Sequence, residues 1–287
     1  MTQRFPLSYF VANIVNFFRR FVFIWTLIIG ACTSALLSVL YADNKPPAND
    51  LGWVETLEAM REKLKSQGYE QIPQLTSSRM IDVNSSVSFV NTEHEGSSSG
   101  TRRAVLIGIN YVGTESELSG CHNDVLNIKR YLMAVHGFEE SNIVLLMDDG
   151  KHILPTRNNI MKAFQDLAQS SRAGDTCVLH YSGHGGNVKD VSGDEPDRRD
   201  ETLVPLDFDS AGHIIDDDLF KALVVKIPKG ALLMCLMDSC HSGTVLDLPY
   251  KFVADGKQRE MTLDAAFKMN HLHRLASTSE KVGLKLK

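Results

Sequence analysis

Neither a long Lys/Arg block nor a Cys-x-x-Cys pair occurs in the 287 residues. The first absence, together with a net charge of -5, removes the positive stripe that a nucleic-acid surface needs to displace counterions. The second leaves five cysteines, Cys32, Cys121, Cys177, Cys235 and Cys240, odd in number and irregular in spacing. That pattern speaks against a disulfide framework or a zinc site and fits free thiols in a reducing compartment, with the cytoplasm as the expected location. What the chain has in quantity is apolar side chains, 43% of the total, enough for one large α/β domain with an appendage.

One uncharged and mostly apolar run, residues 21–42, is about as long as a bilayer crossing and follows directly on Arg19 and Arg20. Two readings stay open. The run is either a membrane anchor, which would tie the protein to a membrane or organelle, or a buried helix of the globular domain, because Thr33, Ser34 and Ser38 interrupt its apolar character.

Beyond it, DNKPPAND (43–50) breaks any helix, since proline lacks the amide donor and restricts the residue before it. Trp53, Val54, Leu57, Met60 and Leu64 then form a stripe at helical spacing that Gly68 closes, and 72–90 reads as extended chain. The polar, Ser/Gly-rich segment NTEHEGSSSG has nothing to bury and reads as a linker. After it come four short apolar runs, at 104–110, 142–147, 176–183 and 231–238. Their near-continuous character fits parallel strands buried on both faces. Helices are expected near 123–135, 156–170 (with Thr156 as N-cap) and 217–225. The chain thus divides into 1–29, 30–90, a linker 91–102, a main domain 103–250, and a polar tail 251–287 expected to be partly disordered.

In open parallel sheets the reactive groups sit past the carboxyl ends of strands. Here the third run enters HYSGHGG (180–186) and the fourth DSCHSG (238–243). If the two strands are neighbours, His184 can take the proton of Cys240, and the amides of Gly185 and Cys240 can hold a developing oxyanion. Taken singly, Cys240 is an ordinary strand-end thiol and His184 a turn histidine; their matched placement argues for a pair. His180, inside an apolar strand, and His241, adjacent to the cysteine, are weaker candidates for the base.

HYSGHGG and DSCHSG, with SGCHND upstream, resemble the catalytic block of metacaspases, a caspase-like peptidase family, over about residues 103–250. The resemblance implies a caspase-like three-layer α/β sandwich around a mainly parallel sheet, with His184 as base and Cys240 as nucleophile. It also implies protein or peptide substrates cleaved after Arg or Lys. Asp124 and Asp238 would line the pocket and Ser182 would join them in binding substrate; a cationic side chain needs such carboxylates, since an unpaired guanidinium is costly to desolvate. On position alone Asp124 is equally a helix cap and Asp238 a turn aspartate.

Acidic residues cluster in NVKDVSGDEPDRRDE and at Asp216–Asp218 without EF-hand spacing, so a solvated loop is the plain reading. The resemblance implies instead an activating calcium ion on Asp200, Asp216, Asp217 and Asp247, and no organic cofactor. Residues 30–90 resemble the end of a metacaspase small subunit placed ahead of the large one, the rearranged order of algal type III metacaspases. The small-subunit strand with its SGC-like motif is not evident in 1–29 or after Tyr250. A monomer is expected, with self-cleavage at Arg102-Arg103 or at Lys257 and Arg259. The rival readings are a catalytically weak scaffold lacking a working cleft and a membrane-tethered binding protein.

Overall fold

The computed structural model describes the backbone of residues 21–26 and residues 30–47, 51–90, 100–189, 199–239, 246 and 248–264. Its apolar runs pair into an eight-stranded sheet: β1 (Phe21–Thr26), β2 (Gln74–Ser77), β3 (Arg102–Gly108), β4 (Ile143–Met147), β5 (Thr176–Ser182), β9 (Leu232–Asp238), β10 (Tyr250–Val253) and β11 (Thr262–Leu263). A small second sheet holds β6 (Gly185–Lys189), β7 (Arg199–Leu203) and β8 (Ile214–Ile215). The helices are α1 (Ala31–Leu40), α2 (Trp53–Ser66), α3 (Cys121–His136), α4 (Arg157–Ser170), α5 (Phe208–Ala211) and α6 (Asp216–Ala222).

The large sheet runs in the order β11-β10-β2-β1-β9-β5-β3-β4. From β1 to β4 the neighbours are parallel, and β2, β10 and β11 extend the sheet antiparallel. Successive side chains of a strand point to opposite faces, and both faces are covered. Val105, Ile107, Leu179, Tyr181 and Leu233 pack with residues of α4 and α6. Leu106, Val178, Met234 and Leu236 pack with residues of α1, α2 and α3. This is the three-layer caspase-like α/β sandwich expected from the sequence, and it explains why the strands read as unbroken apolar runs rather than alternating ones.

The register fixes where function can sit. Thr26 lies opposite Asp238, Asp238 opposite Ser182, Ser182 opposite Gly108, and Gly108 opposite Met147. Five parallel strands therefore end on one line, and the loops that leave them converge there.

Most expected elements appear within two residues of their sequence boundaries, and Thr156 caps α4 by accepting from the Asn159 amide at 3.4 Å. Four expectations change. The run 21–42 is not one helix: it is split into strand β1 and the ten-residue helix α1, whose Ala31, Cys32, Ala35, Leu36 and Leu40 are buried. Among the described residues no helix is long and apolar enough to cross a membrane. Second, residues 21–26, in a stretch where no small-subunit strand could be read from the sequence, form a strand that pairs with β9. Third, the start of the expected flexible tail is structured, because β10 pairs with β2 and β11 with β10, burying Phe252, Ala254 and Met261. Fourth, Arg102 and Arg103, taken from sequence as lying in a flexible cleavable segment, belong to β3. Arg103 is ion-paired to Asp175 at 2.5 Å, and Arg102 donates to the His136 carbonyl. Lys257 and Arg259 are exposed, on the connection between β10 and β11.

Candidate active site at the carboxyl ends of the parallel strands

His184 follows β5 by two residues and is partly buried. Its Nε2 lies 2.8 Å from the Ser116 carbonyl oxygen. A carbonyl only accepts, so Nε2 carries the proton, and in the neutral ring Nδ1 is left as the basic nitrogen. The peptide on either side of His184 is held as well: its amide donates to the Tyr111 hydroxyl at 3.1 Å, and its carbonyl accepts from the Tyr181 hydroxyl at 2.7 Å. Gly185 begins β6 immediately after it. Cys240 and His241 lie outside the described residues; in sequence Cys240 stands two positions after Asp238, as His184 stands two after Ser182, the register partner of Asp238.

Asp124 and Asp238 meet on the same line of strand ends. Asp238 closes β9 and is fully buried, with Oδ2 accepting from the Thr33 amide at 2.7 Å in the first turn of α1. Its Oδ1 is buried with no hydrogen-bond partner among the described residues. Asp124, 3% exposed in the first turn of α3, accepts from the Ser182 hydroxyl at 2.8 Å. It is not a helix cap: Gly120 holds the N-cap position of α3, and the Asp124 carboxylate bonds Ser182 on β5 instead. Gly30, at φ +78°, precedes α1, and a side-chain carbon there would sit 3.4 Å from Asp124 Oδ2. Burial pushes the Asp124 pKa up to about 8, and repulsion from Asp238 adds to it against the Ser182 hydrogen bond. Burial likewise raises Asp238, to about 6, with the Thr33 amide pulling it back. Neither has an ion-pair partner among the described residues, so near neutrality the pair holds about one proton.

His180 is fully buried and shares Nδ1 with the Leu236 carbonyl at 3.1 Å; burial drives its pKa down to about 4. It is a neutral core histidine and no base. The four cysteines within the described residues are all buried. Burial raises the pKa of Cys121 to about 12 and of Cys177 to about 11, which leaves them poor nucleophiles.

The second acidic group gathers at one end of the small sheet. Asp200 on β7 and Asp216 at the start of α6 are 8% and 5% exposed. Asp216 Oδ1 accepts from the Asp217 amide at 2.6 Å, and Asp217 pairs with Lys221 at 2.5 Å. Among the described residues no three His, Cys, Asp or Glu side chains converge to hold a metal. Asp247, the fourth expected ligand, lies outside them.

Several site residues escaped the sequence reading. Tyr111 and Ser116 support His184 from the loop after β3, and Thr33 and Gly30 support the aspartate pair from the N-terminal segment. The only sequence signals were the Tyr that directly follows the AVLIGIN strand run and the Gly that opens a helix.

Residues 102–249 match the family model of the metacaspase, peptidase C14 domain. Metacaspase III c of Phaeodactylum tricornutum is 50% identical over 245 residues, which is 85% of this chain and 72% of that one. Metacaspase-1 of Cryptococcus neoformans is 46% identical over 166 residues, 57% of this chain and 36% of the relative, and Metacaspase-1 of Scheffersomyces stipitis is 46% identical over 167 residues, 58% of this chain and 41% of the relative. The chain therefore spans most of the diatom protein but less than half of the fungal ones. A solved structure from Geobacter sulfurreducens overlays with a TM-score of 0.40 at 29% identity, covering 65% of this chain and 66% of that one, and the fold assignment rests on the strand order instead. With a family model over half its length and a relative half identical to it over most of both chains, the chain belongs to the metacaspase family of C14 cysteine peptidases.

Proposed function

We propose that this chain is an endopeptidase that cleaves after Arg or Lys, with Cys240 as nucleophile, His184 as base and calcium as activator. One observation carries the reading: two carboxylates, Asp124 and Asp238, are buried at the same strand ends as His184 with no cation beside them among the described residues. Buried carboxylates cost stability unless something repays their desolvation, and a substrate guanidinium or ammonium does so.

Nδ1 of His184 accepts the proton of the Cys240 thiol, and the thiolate sulfur attacks the carbonyl carbon of the scissile peptide. The tetrahedral oxyanion is held by the amides of Gly185 and Cys240. Its collapse breaks the C–N bond, His184 returns the proton to the leaving amine, and a water molecule, deprotonated by His184, then hydrolyses the thioester. The Arg or Lys side chain sits on Asp124 and Asp238, with Ser182 orienting Asp124. Asp200, Asp216 and Asp217 offer hard oxygen donors of the type calcium takes, and Asp247 would complete the set. When bound, the ion would supply positive charge to be shared by Asp247 and the carboxylates of Asp200, Asp216 and Asp217.

The test is hydrolysis of Arg, Lys and Asp reporter peptides with and without calcium, beside the Cys240→Ala variant. The expected result is calcium-stimulated cleavage of the Arg and Lys reporters alone, absent in the variant. A scaffold without a working cleft would cleave none of them.

A further inference from the structure

Tyr111 touches His184 in more ways than a core tyrosine needs to, and nothing in the chemistry proposed above uses it. The side chain is fully buried near the start of the loop that leaves β3. Its hydroxyl donates to the Val204 carbonyl at 2.6 Å and accepts from the His184 amide at 3.1 Å. Its ring lies against the imidazole, with centroids 4.8 Å apart and planes inclined by 46°.

We infer that Tyr111 is a positioning residue for His184, setting the height and tilt of the imidazole from which Nδ1 reaches toward the nucleophile. This rests on the reading of His184 as base. Tyr111 has φ +50°, in the left-handed region that side-chain-bearing residues avoid. The conformation is held from both sides by one carboxylate: Asp148 Oδ1 accepts from the Asn110 amide at 2.9 Å and Oδ2 from the Val112 amide at 3.1 Å. His122 Nε2 holds Oδ1 in turn at 2.6 Å. The strained residue redirects the chain so that the ring turns back under His184 while the loop ahead delivers the Ser116 carbonyl to Nε2. One loop thus fixes the imidazole at its face, at Nε2 and at its own peptide.

Tyr181 completes the grip, donating to the His184 carbonyl and lying 3.4 Å from the Tyr111 hydroxyl. The space is tight: a side-chain carbon at Gly183 would stand 2.9 Å from the Tyr181 hydroxyl and 3.3 Å from that of Tyr111. The glycine in HYSGHGG is therefore needed where the two hydroxyls converge on the next residue.

Tyr111→Phe keeps the ring and removes the hydroxyl that bonds the Val204 carbonyl, the His184 amide and the Tyr181 hydroxyl. For hydrolysis of an Arg reporter, the expected outcome is a fall in kcat of about tenfold with KM within about twofold, because orientation of the base enters only the chemical step. The rate of Cys240 alkylation by iodoacetamide at neutral pH, which reads thiolate formation without substrate, should fall in parallel. Cys32, Cys121, Cys177 and Cys235 are buried and do not compete for the reagent. Tyr131→Phe serves as control, since it removes the buried hydroxyl that contacts His136 at 3.1 Å and should lower the melting temperature without touching kcat or alkylation. If His184→Ala is inactive and poorly alkylated while Tyr111→Phe matches the parent in both measurements, the positioning role is wrong and the catalytic reading stands. A Tyr111→Phe loss matched by Tyr131→Phe also overturns it, because the effect is then only on stability. Full activity in His184→Ala overturns the catalytic reading and this inference with it.

Discussion

Two acidic clusters in the molecule differ both in how the sequence supplies them and in what surrounds them. Asp124 and Asp238 come from elements 114 positions apart, meet at the strand ends and are held by a hydroxyl and an amide, with no cation beside them among the described residues. Asp216, Asp217 and Asp218 are neighbours in sequence, and basic side chains already stand beside two of them: Lys221 on Asp217 at 2.5 Å and Arg157 on Asp218 at 2.6 Å. The first cluster carries a desolvation cost that shows as raised carboxyl pKa values. The second is a partly neutralised helix start, at which carboxylates are also favoured by the helix dipole. Density of Asp in a sequence therefore says little by itself; what the fold adds is whether a basic side chain already stands beside the carboxylates, as it does at Asp217 and Asp218.

The comparison breaks first at the chemistry. Cys240→Ala or His184→Ala should lower kcat/KM for an Arg reporter by about a thousandfold or more while the melting temperature stays close to the parent's. Next, Asp238→Asn should cost about 3 kcal/mol of substrate binding in the transition state, roughly a hundredfold in kcat/KM, because one partner of a buried charge pair is lost. Asp217→Asn, by contrast, should leave KM for the same peptide unchanged, and an equal loss in both variants would erase the distinction drawn here.

The aspartate pair should also make recognition depend on pH. Both folded-state values, about 8 for Asp124 and about 6 for Asp238, lie above the usual carboxylate range. KM for an Arg reporter should therefore fall as pH rises from 6 to 8.5, as the pair becomes fully ionised. Stability runs the other way. A carboxyl with a raised folded-state pKa favours the folded chain most at low pH and loses that contribution as pH rises through its folded value. Asp124→Asn should accordingly raise the melting temperature relative to the parent at pH 8.5 and leave it little changed at pH 4.

The smallest effect expected is at Asp148. Burial acts to raise its pKa, but the hydrogen bond from His122 and the Asn110 and Val112 amides outweigh it and the net value is lowered. Asp148→Asn should destabilise the fold by about 1–3 kcal/mol, read by urea unfolding, because one carboxylate oxygen that accepts a loop amide is lost.

Much of this was readable in the sequence, for a physical reason. Parallel strands buried on both faces must be apolar throughout, so Leu106, Val178 and Leu236 announce themselves, and a Gly-rich turn after such a strand marks His184 as a strand-end group. The match of Ser182 to Asp238 could not be read, since strand order depends on how the helices pack and not on any local pattern. Residues 21–26 were misleading because a central strand and the start of a membrane anchor share one composition. Only pairing with β9 and β2 distinguishes them. Tyr111 was invisible because its role rests on a positive φ and two hydroxyl contacts, neither of which leaves a spacing signature.

The central claim is that Asp124 and Asp238 recognise a cationic side chain. Calorimetric titration of the Cys240→Ala protein at pH 7 in two buffers of different ionisation enthalpy, with an Arg peptide and its neutral citrulline counterpart, measures both affinity and proton release. The account predicts that the Arg peptide binds roughly a hundredfold more tightly and expels about one proton from the pair. Equal affinity for the two peptides, with no proton released by either, would contradict it.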